Sequence, residues 1–423
     1  MNKKLLIKLG LGVLILVSLS LWINSRWSAW FNNPPEASYA PLKEPGRILL
    51  TFGDSLSSSR NVSWQYDSVL VPSYLEIKDL NQDKSYIIKA QGEIFQSRSG
   101  KAAYYVARLR KLANDTHYQY RVINQDKKSA WYDFYTHNGK TSEDFSFLFV
   151  GDIQDTINGR TNQLLKQAFR THPESEFLLC GGDLTERPTD AYWEETFKGL
   201  DSISTHYPVL NITGNHDYLK YVIRKLERRF SLVFSYFLDS QVGGNQVFTL
   251  KYNDMQLFFL DSNREFLYLW TQKEWLEKQL KASTARWKIV VLHHPIYSMK
   301  GENNNITQRT LFADVIKDAG VDLVLQGHEH AYGRKSNREG ESLTTPVFTI
   351  SHCSPKNYNP RNGDAFDKVD LTSKVYQSIR IKTDTLFVSS FNAETNKEID
   401  ALYIVKKDNQ VRVVERNLQP ENL

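Results

Sequence analysis

The sequence predicts an α/β protein in two folded parts: an all-β sandwich, then a larger domain in which strands alternate with helices. Three observations carry that prediction. Residues 45–137 break into short runs of alternating character, separated by turn formers and with no helical period between them. From about residue 145 onward, apolar strands alternate with helical stretches. The apolar strands of this second part end in Gly, Asp, Asn or His rather than in ordinary turn residues.

Composition sets the outer limits. The chain has 423 residues, 41% hydrophobic and 24% charged, which is a globular composition long enough for two or three domains. The formal charge is +5, but four of the positives (Lys3, Lys4, Lys8 and Arg26) lie in the first 26 residues with no acid among them. Setting those four aside leaves 49 basic against 48 acidic residues, so charge gives no reason to expect a nucleic-acid partner.

Residues 1–30 read as a targeting element, either an export signal or a membrane anchor. Three lysines precede the uncharged run LGLGVLILVSLSLWINS. No small-x-small cleavage site follows closely, and Trp22, Trp27 and Trp30 suit a membrane interface, which favours an anchor. In both cases the body is expected outside the cytoplasm, in a periplasm or cell envelope, or secreted. Residues 31–44, FNNPPEASYAPLKE, read as a linker. The two cysteines, Cys180 and Cys353, provide no disulfide framework, and Cys180 in FLLC reads as a buried thiol.

The sandwich, residues 45–140, is built from RILLTF, NVSWQY, SYLEI, YIIKA, YYVARLR, HYQYRVI and WYDFYT, with Trp64 as a core aromatic. Leu112, Thr116 and Tyr118 resemble the tyrosine corner of fibronectin type III domains. Between the first two runs stand Gly53, Asp54, Ser55 and Leu56, the letters that present a nucleophilic serine in one group of esterases. No Gly-x-Asn-Asp block and no late Asp-x-x-His follow, so Ser55 has no base to take its proton and the segment reads as a turn.

The second part follows in strict alternation. FSFLFV precedes RTNQLLKQAFR, EFLLC precedes AYWEETFKGL, and PVLNI precedes YLKYVIRKLERR, each pair predicting a strand and then a helix. VFTLKY and MQLFFLDS predict a hairpin about Asn253-Asp254; a helix at QKEWLEKQLKA, a strand at WKIVVL, a helix at TQRTLFADVIKDAG and a strand at VDLVLQ come after it. The runs PVFTIS, SIRIKTDTLFVSSF and ALYIVKKDNQVRVVE return to strands. Residues 145–400 are expected to form the second domain and 401–423 a C-terminal hairpin or tail.

The chemistry collects at the strand ends. FSFLFV ends in Gly151-Asp152-Ile153-Gln154, EFLLC in Gly181-Gly182-Asp183, and PVLNI in Gly214-Asn215-His216-Asp217. WKIVVL ends in His293-His294-Pro295, and VDLVLQ in Gly327-His328-Glu329-His330. The carboxyl edge of an open α/β sheet is where sites are assembled. Carboxylates, amides and imidazoles are costly to gather there unless cations pair with them. Imidazole with oxygen donors suits first-row divalent metals, and a carboxylate is the group best suited to bridge two of them, with Asp183 the candidate.

The order GD…GGD…GNHD…H…GHEH resembles the calcineurin-like metallophosphoesterase superfamily. The preceding sandwich and the ending GHEHAYGR resemble its purple acid phosphatase branch. The likeness spans most of residues 45–355 and implies a four-layer α/β/β/α catalytic sandwich. It also implies two divalent or mixed-valence metal ions (Fe, Mn, Zn or Mg). Asp152, Gln154, Asp183 and His330 would hold one, and Asp183, Asn215, His293 and His328 the other. His216 would stabilise charge or protonate the leaving oxygen, Asp217 would orient it, and His294 would face the substrate. The implied reaction is attack of a metal-bound hydroxide on the phosphorus of a phosphorylated small-molecule or extracellular substrate. A phosphomonoester is the leading expectation, with a phosphodiester, or a weakened site kept for binding or scaffolding, as alternatives.

The chain departs from the pattern at four places. Gln154 stands where the superfamily has histidine, and Glu186 where the purple branch has the tyrosine that colours it, so no purple chromophore is expected. Asn303 replaces a further histidine. Arg334 replaces a glutamate and is not inherited as functional. Glu186 is expected as an acceptor behind the ligands, and Arg160 as a solvated charge.

Overall fold

Alternation of inward and outward side chains closes the first domain into two facing sheets. The computed structural model describes residues 3–54, 58–137, 144–239, 241–242, 246–358, 365–408 and 410–416, so Ser55 lies outside the described residues. One sheet orders Gly46–Phe52, Arg60–Gln65, Lys101–Leu109 and Gln91–Gln96. The other orders Lys84–Lys89, Ser73–Asp79, His117–Asn124 and Lys127–Lys128, with Tyr132–Tyr135 also pairing His117–Asn124. Leu50, Val62, Trp64, Leu75, Ile77, Tyr120, Val122 and Phe134 fill the space between them. Trp64 stacks on Tyr105 and donates its indole N–H to Asn124 Oδ1 at 2.9 Å, so its one polar atom is satisfied inside the core. The Tyr118 hydroxyl accepts the Ala113 backbone N–H at 2.9 Å, the geometry of a tyrosine corner. Tyr118→Phe leaves that N–H without its acceptor and is expected to cost about 1 kcal/mol in denaturant unfolding.

The second domain contains two seven-stranded sheets. One orders Val209–Asn211, Ser175–Cys180, Phe145–Val150, Val375–Ile381, Thr385–Asn392, Glu398–Lys407 and Gln410–Glu415. The other orders Phe248–Tyr252, Met255–Phe259, Trp287–Val291, Leu323–Gln326, Ser342–Ile350, Tyr332–Glu339 and Lys368–Asp370. Neighbouring strands that end in candidate ligands pair in parallel. Such strands are covered on both faces, which explains their continuous apolar runs.

The period of two sorts each run between two cores. Phe147, Phe149, Leu257, Phe259, Ile289 and Val291 meet between the sheets. Leu148 and Val150 turn outward to Leu165, Phe169 and Trp193 of helices Thr161–Thr171 and Asp190–Leu200. Phe258 and Val290 turn outward to Trp275, Leu276, Phe312 and Ile316 of helices Phe266–Ala282 and Ile306–Asp318. The layers therefore run helix, sheet, sheet, helix. The C-terminal segment, expected as a hairpin or tail, is a hairpin that supplies the outer two strands of the first sheet.

One expected helix does not form. YLKYVIRKLERR, residues 218–229, is instead a short hairpin of Tyr218–Leu219 with Lys225–Leu226, followed by the one-and-a-half-turn helix Arg228–Val233. The Tyr218 hydroxyl is tied to Asp261, which pins the chain at the strand end. Leu219, Val222, Ile223 and Leu226 keep the helical spacing of three and four, but Tyr221, Val222 and Ile223 are exposed, so no buried face holds a helix there.

The sandwich is clamped to the second domain by buried charge. Arg229 Nη1 lies 2.6 Å from Glu36 of the linker and 2.9 Å from Asp190, and Arg229 Nε lies 3.1 Å from Glu227. Arg47, from the first strand of the sandwich, reaches the other Asp190 oxygen at 2.8 Å. Burial pushes the Glu227 carboxyl up to about 7, and the nearby Arg229 charge only partly offsets this. With the folded value above the ordinary 4.5, the stability this group contributes is full below pH 4.5 and is lost as pH rises through about 7. Glu227→Gln is expected to flatten that part of the stability–pH profile, measured as unfolding midpoints from pH 4 to 8.

Helix Lys3–Phe31 stands apart from both domains. Its stretch Ile7–Ser28, 22 residues of mean hydropathy 1.9, has no part buried against the protein. At 1.5 Å per residue it is about 33 Å long, enough to cross the hydrocarbon layer of a bilayer.

Candidate metal centre

The turns that follow five strands meet at one edge of the sheet pair. Asp152 and Gln154 follow Phe145–Val150, Asp183 follows Ser175–Cys180, and Asn215 to Asp217 follow Val209–Asn211. From the opposite sheet, His293 and His294 follow Trp287–Val291, while His328 and His330 follow Leu323–Gln326. The ligating atoms of Asp152, Asp183 and His293 all lie within 4.8 Å of one another.

Two groups of donors share Asp183. In the first, Gln154 Nε2 is 2.7 Å from Asp183 Oδ2, and His330 Nε2 is 3.0 Å from Asp152 Oδ2. In the second, His293 Nε2 is 3.3 Å from Asp183 Oδ2 and 3.2 Å from Asn215 Oδ1, which is also 2.9 Å from His328 Nδ1. Backbone carbonyls hold the rings. His293 Nδ1–H donates to Gly181 O at 2.8 Å and His330 Nδ1–H to Lys356 O at 3.0 Å, so each Nε2 is turned toward the cluster.

The backbone is strained where these side chains converge. Gln154, Asp183, His328 and His330 have φ values of 39°, 52°, 75° and 48°, in the left-handed region that costs a non-glycine residue on the order of 1–3 kcal/mol. Four such residues in one site mark a geometry held for function. Gly214 is needed for a different reason: a Cβ there would lie 1.9 Å from Asp183 Oδ1. Gly214→Ala is accordingly expected to displace Asp183 and lower bound metal, read by elemental analysis of the purified protein.

Charge is concentrated and shielded. Asp152 and Asp183 are essentially inaccessible to solvent. Burial alone would raise the Asp183 carboxyl, but the charge and hydrogen bond of His293 outweigh it and hold the group below the usual carboxylate range. Burial would lower His293, yet Asp183 and Asp152 bring it up to about 9. Burial and then the charge of His293 hold His294 well below the usual imidazole range.

The donor set fits a pair of first-row cations. Its imidazole, carboxylate and amide atoms are those such ions take, and the buried Gln154 Oε1 has no hydrogen-bond partner among the described residues, which leaves a neutral oxygen free to ligate. Two carboxylates buried at this density call for cationic partners.

The remaining expected residues are placed as follows. His216 donates Nδ1–H to Glu186 O at 2.6 Å, and its Nε2 lies 4.0 Å from Asp183 Oδ2. Asp217, expected to orient His216, accepts the Gly214 N–H at 2.8 Å and closes the one-turn 3₁₀ helix Asn215–Asp217, so the ring of His216 is oriented by Glu186 instead. Burial, then the charge of Asp183, raises the Asp217 carboxyl well above its ordinary value. His294 lies beside His328 with ring centres 4.3 Å apart and contacts Ser262 Oγ at 3.0 Å. Asn215, His216, His294 and Asn303 line a cleft of about 970 Å³ that opens from the cluster. Arg334 is buried against Asp400 and pairs with Glu415, holding the C-terminal strands. Arg160 is exposed at the start of its helix, and Cys180 and Cys353 are buried free thiols.

Three participants escaped the sequence reading. Lys356 holds His330 through its carbonyl and pairs with Glu186 at 2.6 Å. Tyr358 stacks on His330 with ring centres 4.3 Å apart. His352 bridges to Asp152 and lies parallel to His330. His352 had a signal, since the run PVFTIS is a sixth strand ending in a histidine; Lys356 and Tyr358 lie in a loop without one.

The four-layer α/β/β/α sandwich with this donor cluster on its strand edge is a calcineurin-like phosphoesterase domain, and the β-sandwich before it is a purple acid phosphatase N-terminal domain. Residues 145–332 match the calcineurin-like phosphoesterase family, and residues 45–136 match the purple acid phosphatase N-terminal domain. The chain is similar to purple acid phosphatase 5 of Arabidopsis thaliana, 22% identical over 340 residues covering 74% of this chain and 77% of that protein. It is likewise similar to phosphoenolpyruvate phosphatase of Allium cepa, 24% identical over 371 residues covering 79% and 69%. The solved structure of PhoD superposes with a TM-score of 0.64 at 13% identity, covering 92% of this chain and 95% of that one, which is a likeness of fold.

Proposed function

We propose that the protein is a dinuclear metal-dependent phosphomonoesterase whose body lies outside the cytoplasm, tethered by helix Lys3–Phe31. The observation that carries this reading is Asp183, whose carboxylate touches Gln154 of one donor group and His293 of the other. Bound metals would supply charge neutralisation at the phosphoryl oxygens and acidify water. Asp152, Gln154, Asp183 and His330 would hold one, and Asp183, Asn215, His293 and His328 the other. His216 lines the cleft with its Nε2 beside the cluster, 4.0 Å from Asp183 Oδ2, where it would donate a hydrogen bond to a phosphoryl oxygen or a proton to the departing alcohol. His294 occupies the same wall and would border the substrate. The likeness to a phosphoenolpyruvate phosphatase supports a monoester.

The test is hydrolysis of an aryl phosphomonoester and of its diester by the purified chain supplied with Mn, Zn or Fe(II). Turnover of the monoester, lost on chelation, is the expected result. Two bound ions with no turnover under any metal would overturn the reading in favour of a binding protein.

A further inference from the structure

We propose that the rim of the catalytic cleft is a membrane-docking surface, so that the cleft takes its phosphomonoester from a lipid in the bilayer. This rests on the phosphatase reading for the reaction but not for the docking. Three exposed apolar segments lie in or directly beside the cleft lining: Trp30 on the N-terminal helix, with Trp27 a turn before it; Tyr221 and Val222 at the hairpin tip, with Ile223 next to them; and Phe266, Leu267 and Trp270, which follow the lining residue Glu265 on the first turns of helix Phe266–Ala282. Ile223 is 62% exposed and Leu267 78%. Soluble surfaces rarely gather large apolar side chains in this way unless something covers them.

The occupant follows from how the chain is joined. Asn33, two residues beyond the end of the helix, is bonded both ways to Lys220: its Nδ2 donates to Lys220 O at 3.1 Å, and Lys220 N–H donates to its Oδ1 at 2.8 Å. The Arg224 N–H donates in turn to Glu265 at 3.1 Å, joining the hairpin to the start of helix Phe266–Ala282. Asn33 is at most about 12 Å along the chain from Ser28, where the apolar stretch ends. With the helix in a bilayer, the hairpin tip and Leu267 therefore come to the headgroup layer. Their companions are the residues that favour that layer: Trp and Tyr among the apolar side chains, and Arg187, Lys220, Arg224 and Arg264 in the cleft wall, facing where anionic phosphates would lie.

The buried thiols of Cys180 and Cys353 leave an introduced cysteine as the accessible label site among the described residues. In the full-length chain reconstituted in phosphatidylcholine–phosphatidylglycerol vesicles, an environment-sensitive fluorophore at Ile223→Cys or Leu267→Cys is expected to shift blue and be quenched by nitroxide lipids. The same label at Glu341→Cys, on a turn outside the cleft lining, should remain in water. Equal behaviour at all three sites would overturn the docking surface. The double variant Ile223→Ser with Leu267→Ser should turn over vesicle-borne phosphatidate at least about 10-fold more slowly while hydrolysing a soluble aryl phosphate within about 2-fold of wild type. Equal loss on both substrates, or aryl phosphate turnover with phosphatidate untouched, would overturn the lipid substrate. No turnover of either substrate would overturn the phosphatase reading, with the labels still deciding the docking.

Discussion

Asp183→Asn is expected to leave at most one metal per chain and to lower kcat/KM by ~10³-fold or more, since removing a single oxyanion donor alone costs ~10²–10³. The substitution preserves volume and the capacity to accept the His216 N–H, given at 2.7 Å. It removes the negative charge that pairs with His293 and the second oxygen that faces Gln154. An amide offers one oxygen and cannot bridge two cations as a carboxylate does. Asp152→Asn should be milder, because Asp152 meets His330 at 3.0 Å and the backbone N–H of His328 but approaches the other donor group only through His293 Nδ1, at 3.8 Å. Metal content and steady-state rates on an aryl phosphate, measured on the same preparation, check both. An Asp183→Asn protein with two ions and near wild-type rates would show that the carboxylate does not join the two groups.

Arg229→Met is expected to have the largest effect on folding, a loss of about 3–5 kcal/mol in chemical unfolding, because removing one partner strands the others without their counter-charge. Glu36, Asp190 and Glu227 all lie against this guanidinium and are almost inaccessible to solvent. The loss is a large share of the ~5–15 kcal/mol that ordinarily separates folded from unfolded domains. The same variant should loosen the linker, read as faster proteolysis near residue 36. Glu36→Gln, which leaves Arg229 paired with Asp190 and Glu227, should cost less. Equal unfolding midpoints for wild type and Arg229→Met would show that the network contributes nothing net.

What was legible in the sequence is what obeys a period or a local rule. The apolar runs marked the buried strands, but which residues of a run such as FSFLFV face which core, Phe147 and Phe149 inward and Leu148 and Val150 toward the helices, came only with the structure. The candidate ligands were legible because each group follows an apolar run, and Asp152, Asp183, Asn215 and His328 sit directly after a glycine. The hairpin at Tyr218–Leu226 was not, because Tyr221 to Ile223 are apolar yet exposed, so hydrophobicity misreported burial there. Contacts made by backbone atoms were also beyond reach. The carbonyl of Glu186 holds His216 while its carboxylate pairs with Lys356, 170 positions away, and no side-chain pattern encodes either contact. The Glu36–Arg229 pair, spanning the linker and the second domain, is hidden for the same reason of distance along the chain.

The most direct test of the central claim is the metal count of the purified full-length chain, taken before chelation, after it, and after adding back Mn, Zn or Fe(II), with aryl phosphate turnover followed at each stage. The account predicts two ions per chain that leave together with activity and return with it. Undiminished turnover by a chain stripped of metal would contradict it.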